Sequence, residues 1–177
     1  MRTNPHFLNI FMHNSLRKLF LLVIAITFCF SLKANSVQNS YQITVSILSY
    51  VKWPVSTPKL CVLDDGNAYT QLKNQLRHSN LLMETKLLTS NQIKNTICHA
   101  VFFSQSTPEF EQHIINQSAN KQVITFSTSN VECEIGSTFC LMYSKSGNAI
   151  FKVNLDSLTR SKVHIDPRVL LLARNQE

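Results

Sequence analysis

The chain has 177 residues, with 17 Lys+Arg against 10 Asp+Glu and 44% apolar residues. That length suits one domain, and the apolar share suits a packed core rather than a disordered chain. Only Gly66, Gly136 and Gly147 are glycines, none of them in a GxGxxG or GxxxxGKS/T context. HExxH, GxSxG and CxxC are also absent, so the best-marked nucleotide-binding, protease, hydrolase and redox classes are disfavoured.

Residues 1–36 read as a secretory signal. Arg17 and Lys18 precede an uncharged run from Leu19 to Leu32, and Ala34-Asn35-Ser36 supplies a small-x-small pattern, which places cleavage before Val37. As a helix that run spans about 21 Å, short of the roughly 30 Å hydrocarbon core. Cys29 follows Phe28 rather than a small residue, which disfavours a lipoprotein site. Arg2, Arg17, Lys18 and Lys33 all lie in the leader. The remainder therefore has 17 − 4 basic residues against 10 acids, and the case for a nucleic-acid partner weakens. Cys61, Cys98, Cys133 and Cys140 remain after the leader. An even number in an exported chain predicts two disulfides, with three possible connectivities.

From Val37 to Val51 the apolar spacing of Val37, Tyr41, Val45 and Leu48 predicts a helix despite β-branched Thr44, Ile47 and Val51; Trp53-Pro54 stops it. Lys59–Leu63 reads as a strand running into the Asp64-Asp65-Gly66-Asn67 turn. Ala68–His78 reads as a helix through Tyr69, Leu72 and Leu76. Leu82–Leu88 reads as a second strand, Ser90–Thr96 as a short helix or loop, and Cys98–Ser104 as a buried strand.

Ser106-Thr107-Pro108-Glu109 predicts a helix start, with Ser106 as cap and Glu109 completing a capping box. Phe110, Ile114 and Ile115 are expected to face inward. Gln122–Phe126 is the next strand. Alternating strands and helices at this pace predict a parallel sheet with crossover helices. Thr138–Ser144 and Ala149–Asn154 read as a hairpin, Leu155–Lys162 as a helix starting at Asn154 or Asp156, and Asp166-Pro167 as the start of a last helix. The expected fold is a compact α/β sandwich: a mostly parallel twisted sheet, crossover helices, and a C-terminal hairpin with helices.

The ordered segments YVKWP (50–54), LCVLDD (60–65), CHAVFFS (98–104), VITFS (123–127) and IFKVNLDSLTRSKVHIDPRVLLLAR (150–174) resemble the YfiR-like family of exported bacterial proteins. The resemblance spans nearly all of 37–177. It implies a single YfiR-like α/β domain in the periplasm that tends to form a homodimer and represses a membrane-bound diguanylate cyclase through the cyclase's periplasmic sensor region. It implies lowered cyclic di-GMP signalling, and release by an OmpA-like outer-membrane lipoprotein. SNVECEIGSTF (129–139) departs from the double-glycine pattern often seen before that strand in the family.

The cysteines are the most informative side chains. First and third strands of doubly wound sheets are often neighbours, which brings Cys61 and Cys98 to one edge, while Cys133 and Cys140 are local. The expected bridges are thus Cys61–Cys98 and Cys133–Cys140, worth about 3.8 and about 2.4 kcal/mol in the loop-entropy model. They are read as staples, with redox control of binding by the shorter loop as the functional alternative. Asp64-Asp65 resembles the acidic pocket of a receiver domain, but export leaves it no phosphodonor, and turn chemistry is the better reading. His99 would activate a neighbouring thiolate only if Cys98 were free. His78, His113 and His164 lack ligand spacing, so no metal is expected. Glu109 and Glu111 read as exposed partners of a helix dipole. Trp53 reads either as a partner anchor or, more in keeping with its place beside a proline, as core.

The expectation is a non-enzymatic regulator with no catalytic residue and no cofactor. The rivals are a thiol-based periplasmic enzyme, and a solute-binding module using the crevice near Asp64–Asn67 and Ser104–Thr107.

Overall fold

Apolar runs of four or five residues fold as the strands of one sheet: β1 Lys59–Leu63, β2 Glu84–Leu88, β3 Ala100–Phe103, β4 Ile124–Ser127, β5 Phe139–Tyr143 and β6 Ala149–Val153. The computed structural model describes residues 39–145 and 147–174. The leader, its cleavage point and Val37 lie outside the described residues.

The strand order is β2-β1-β3-β4-β5-β6. The first four pairings are parallel, and β5–β6 is antiparallel, closing the expected hairpin. This is the mostly parallel α/β architecture that the segment order predicts.

Among the described residues the helices are α1 (Ser40–Leu48), α2 (Gly66–Arg77), α3 (Pro108–Gln117), α4 (Leu155–Ser161) and α5 (Arg168–Arg174), with a 3-10 turn at Ser90–Asn95. α1 is helical against its β-branched composition because its caps and burial favour it. Asn39 Oδ1 accepts from the Gln42 amide at 2.9 Å, and Gln42 Oε1 accepts from the Asn39 amide at 3.1 Å. Ile43, Val45, Ile47 and Leu48 are all buried, so packing outweighs propensity. The buried Thr44 hydroxyl donates to the Ser40 carbonyl at 2.8 Å, so no polar atom is stranded there. α2 starts where Asp65 Oδ1 accepts from the Ala68 amide at 2.9 Å, and it buries Ala68, Leu72 and Leu76 on one stripe.

Strand alternation sorts the side chains into two cores. Leu60, Val62, Phe102, Ile124, Phe126, Phe139, Leu141 and Phe151 join α1 and α2 in the larger cluster. Cys61, Leu63, Val101 and Phe103 join Ile114 of α3 and Ile93 of the 3-10 turn in the smaller one.

The start of α3 differs from expectation. Thr107, not Ser106, caps it, accepting from the Phe110 amide at 3.3 Å, with Pro108 in the first turn. That shift of one residue takes Glu109 out of the capping-box position. Contrary to expectation, Phe110 is 40% exposed, because the helix packs through Glu111 and Ile114, which are buried. Strand β2 is shorter than the apolar run, since Leu82 is exposed ahead of it.

One connection lacks a crossover helix. Parallel strands β4 and β5 are joined by residues 128–138 alone, and they pair only at Phe126–Phe139 and Ser127–Cys140. Such joins normally run through a helix, so this link must be held in another way.

Candidate functional site

The link is held by a disulfide and by a buried carboxylate. Cys140 lies on β5, and Cys133 lies in the link with φ +62°; their Cα atoms are 5.7 Å apart in a Cys133–Cys140 bridge. The Cys133 amide donates to Asn130 Oδ1 at 3.0 Å, which helps fix that left-handed turn.

Below the bridge lies Glu111, expected on an exposed face but 0% exposed. Glu111, Ile114 and Ser118 form the buried stripe of this segment, and Glu111 points at the sheet. Its Oε1 accepts from the Ser127 hydroxyl at the end of β4 and from the Ser106 hydroxyl at 3.0 Å. Its Oε2 accepts from Asn130 Nδ2 and from the Ser137 amide, each at 3.1 Å. Four donors from α3's approach, from β4 and from both ends of the link thus converge on one carboxylate. Among the described residues no Lys, Arg or His is ion-paired with it. Buried carboxylates persist when their acceptor sites are filled in this way.

Gly136 completes the anchor. Its φ is +82°, and a Cβ there would sit 2.7 Å from Glu111 Oε2 and 2.9 Å from the Pro108 carbonyl oxygen. Only glycine meets both conditions. The single Gly136 is therefore the position of the 129–139 segment that the fold requires to be glycine. Its carbonyl accepts from the Ser157 hydroxyl of α4 at 2.8 Å.

The result is a stapled loop anchored from beneath, with apolar side chains on its outside. Val131 and Ile135 on the loop, Phe110 beside Glu111 and Leu155 at the start of α4 are all exposed. Lys152 Nζ donates to the Val131 carbonyl at 3.0 Å and ties the loop to β6. With Glu111 enclosed by donors, this arrangement suits presenting a rigid surface.

The other cysteine pair serves a different region. Cys61 on β1 and Cys98 just before β3 form a bridge with a Cα separation of 5.9 Å, and both are fully buried in the smaller core. With Cys98 bridged, His99 has no thiolate to activate. Instead His99 Nδ1 accepts from the Lys59 amide at 3.0 Å. Burial, helped by the Lys59 charge, pushes its pKa below the usual histidine value.

Asp64 and Asp65 do turn chemistry. Asp64, at φ +55°, accepts from the Ser90 amide at 3.2 Å. Asp65 caps α2, and the Ala68 amide is the main cause holding its carboxyl below the ordinary pKa. Trp53 packs half-buried against the larger core, with its indole Nε1 enclosed and lacking a hydrogen-bond partner. The structure does not bring Trp53, Asp64-Asp65 and the stapled loop into one site.

Sequence reasoning missed Glu111 and its donors. The available signal was the density of Ser and Asn at 127, 129 and 130 directly after a strand, facing a helix whose inward stripe includes a glutamate.

A family model described as YfiR/HmsC-like matches residues 38–174, which takes in every strand and helix above, both cysteine pairs and the Glu111 anchor. The chain therefore belongs to the YfiR/HmsC-like family.

Proposed function

We propose that this chain is exported by its 1–36 leader and, in the periplasm, represses a membrane-bound diguanylate cyclase by binding that enzyme's periplasmic sensor region. The coarser statement follows from membership: YfiR/HmsC-like proteins are periplasmic, non-catalytic regulators of diguanylate cyclases. The observation that supports this proposal is the family match over 38–174, which spans the whole described fold. Two disulfides suit an oxidising compartment. The loop anchored on Glu111, with exposed Phe110, Val131, Ile135 and Leu155, offers the kind of rigid apolar surface from which a partner anchor is built.

Repression then works by population shift: the chain binds the inactive state of the sensor region better than the active one. Moving a two-state partner from 1:99 to 99:1 takes about 5.5 kcal/mol of differential affinity, within the reach of an ordinary interface. An OmpA-like outer-membrane lipoprotein relieves the block by sequestering the repressor, and the chain acts as a homodimer.

Two measurements test this. Expressed with its leader, the chain should lower cellular cyclic di-GMP, and Ile135→Lys with Leu155→Lys should restore it without changing the thermal melt. Immobilised chain should retain a diguanylate cyclase from a solubilised membrane extract. Cyclic di-GMP levels indifferent to the chain, together with no cyclase on the resin, defeat the proposal.

A further inference from the structure

A groove of about 410 Å³ opens between α3 and α4 over the polar end of the sheet. It lies away from the crevice near Asp64–Asn67 that the strand order favours for ligands. Its walls are Ile115 of α3 and Val123, its floor is Thr125 and Thr138, and Lys121 and Arg160 stand at its rim. Both cations are exposed and no carboxylate is among the lining residues. Lys121 Nζ gives one hydrogen bond, to the Asn116 carbonyl at 2.7 Å, which leaves two of its three donors free among the described residues. Arg160 gives one, to the Ser157 hydroxyl at 3.2 Å.

The floor also has a donor to spare. The Thr138 amide donates to Thr125 Oγ1 at 2.8 Å, and the two threonine hydroxyls lie 3.2 Å apart. Whichever hydroxyl donates to the other, the second keeps a proton with no acceptor. Both residues are 1% exposed, so that proton lacks bulk water as well as a protein partner. A buried surplus donor beneath two under-used cations calls for an oxyanion, and the aliphatic walls call for an apolar body behind it.

The geometry points to this groove as a binding site for a small organic carboxylate, its oxyanion between Arg160, Lys121 and the threonine pair and its apolar part against Ile115 and Val123. The assignment is independent of the cyclase partner. The site also adjoins the stapled loop. Gln112 and Ser157 line the groove, and both hold Gly136: its amide donates to Gln112 Oε1 at 3.4 Å, and its carbonyl accepts from the Ser157 hydroxyl. A carboxylate bound there would lie beside two of the groups that fix the loop.

Benzoate is the probe, titrated into disulfide-intact, isotope-labelled protein and followed by amide shifts. Saturable shifts are expected at Ile115, Val123, Thr125 and Gly136, with a dissociation constant in the millimolar range or tighter. Arg160→Gln and Lys121→Gln should each weaken binding about tenfold, the loss of a charge-assisted hydrogen bond. Benzyl alcohol, which keeps the body without the charge, and inorganic phosphate, which keeps the charge without the body, should each bind at least about tenfold less tightly on the same reasoning. The assignment is overturned by any of four results: no saturable shift, shifts confined elsewhere, affinity unchanged in both variants, or phosphate binding as well as benzoate.

Discussion

The same face of the sheet is closed in two ways. Over β1 and β3 it is covered by Leu63, Val101, Phe103, Ile114 and the enclosed Cys61–Cys98 bridge. Over β4 and β5 the inward positions are Thr125, Ser127, Thr138 and Cys140, covered by Glu111 and the stapled link. The first half has crossover segments that bring aliphatic cover with them. The second has a link too short to include a helix, and a short link exposes backbone groups that only polar partners can satisfy. Glu111 supplies those partners at one point, and the staple limits where the loop can go.

The largest expected effect separates the halves by removing their bridges. Cys61→Ala/Cys98→Ala loses a crosslink over 37 residues, about 4 kcal/mol in the loop-entropy model. Cys133→Ala/Cys140→Ala loses one over 7, about 2 kcal/mol. Urea midpoints of the two double variants measure this order. If the shorter bridge proves the costlier, loop length is the wrong account of the difference.

Next comes Glu111→Ala, which strands the Ser127, Ser106 and Asn130 donors and the Ser137 amide. A cost of about 3 kcal/mol is expected, since several buried groups lose their acceptor together. The location of the damage is the sharper readout. Amide exchange should accelerate at Cys133 and Ser137 and stay slow at Val101 and Phe103, because the two halves are covered independently. Acceleration of equal size in β3 would show that the sheet face opens as one unit.

These two halves were unequally legible. Runs such as Lys59–Leu63 and Cys98–Ser104 announce buried strands through composition alone, and their spacing implies parallel order. The hairpin is marked by the polar Lys145–Asn148 stretch. Glu111 gives no such local sign. Three of its four partners stand 16 to 26 residues away at Ser127, Asn130 and Ser137, and a charged residue on an otherwise amphipathic helix reads as solvent-facing. Residue type put apolar Phe110 inward and charged Glu111 outward, and the structure has both the other way round. The groove between α3 and α4 was hidden too, since Lys121 and Arg160 are far apart in sequence and line one groove only in the folded chain.

A smaller effect concerns access to the bridges. Cys61 and Cys98 are enclosed between strands and α3, whereas Cys133 lies in a surface link. Mild reductant followed by alkylation should label Cys133 and Cys140 first, with the other pair protected until global unfolding. Peptide mapping by mass spectrometry reads the order directly. If binding to the cyclase sensor is redox-controlled, it should be lost at this first stage while the fold persists. Simultaneous labelling of all four cysteines would mean that the loop does not open separately.

The smallest effect is a pH dependence confined to the apolar half. His99 sits between the Cys61–Cys98 bridge and the start of β3, accepting through Nδ1 from the Lys59 amide. Its folded pKa lies below the ordinary histidine value of 6.5, first because of burial and then because of Lys59. The unfolded chain therefore binds the proton more readily than the native one. The stabilising contribution is fully present above pH 6.5 and is lost as pH falls through the depressed folded value. Protonation also removes the Nδ1 lone pair that the Lys59 amide needs. Stability should thus decline as the solution is acidified from neutrality, ahead of the carboxylate range in which Asp65 loses its own capping contribution. In His99→Asn the side-chain oxygen can take the Lys59 amide without titrating, so the decline that sets in below the ordinary histidine value should vanish while the loss in the carboxylate range remains. Urea titrations of both proteins between pH 7.5 and 5, about one unit above and one and a half units below the ordinary histidine value, distinguish this from general acid sensitivity, which would leave the two curves parallel.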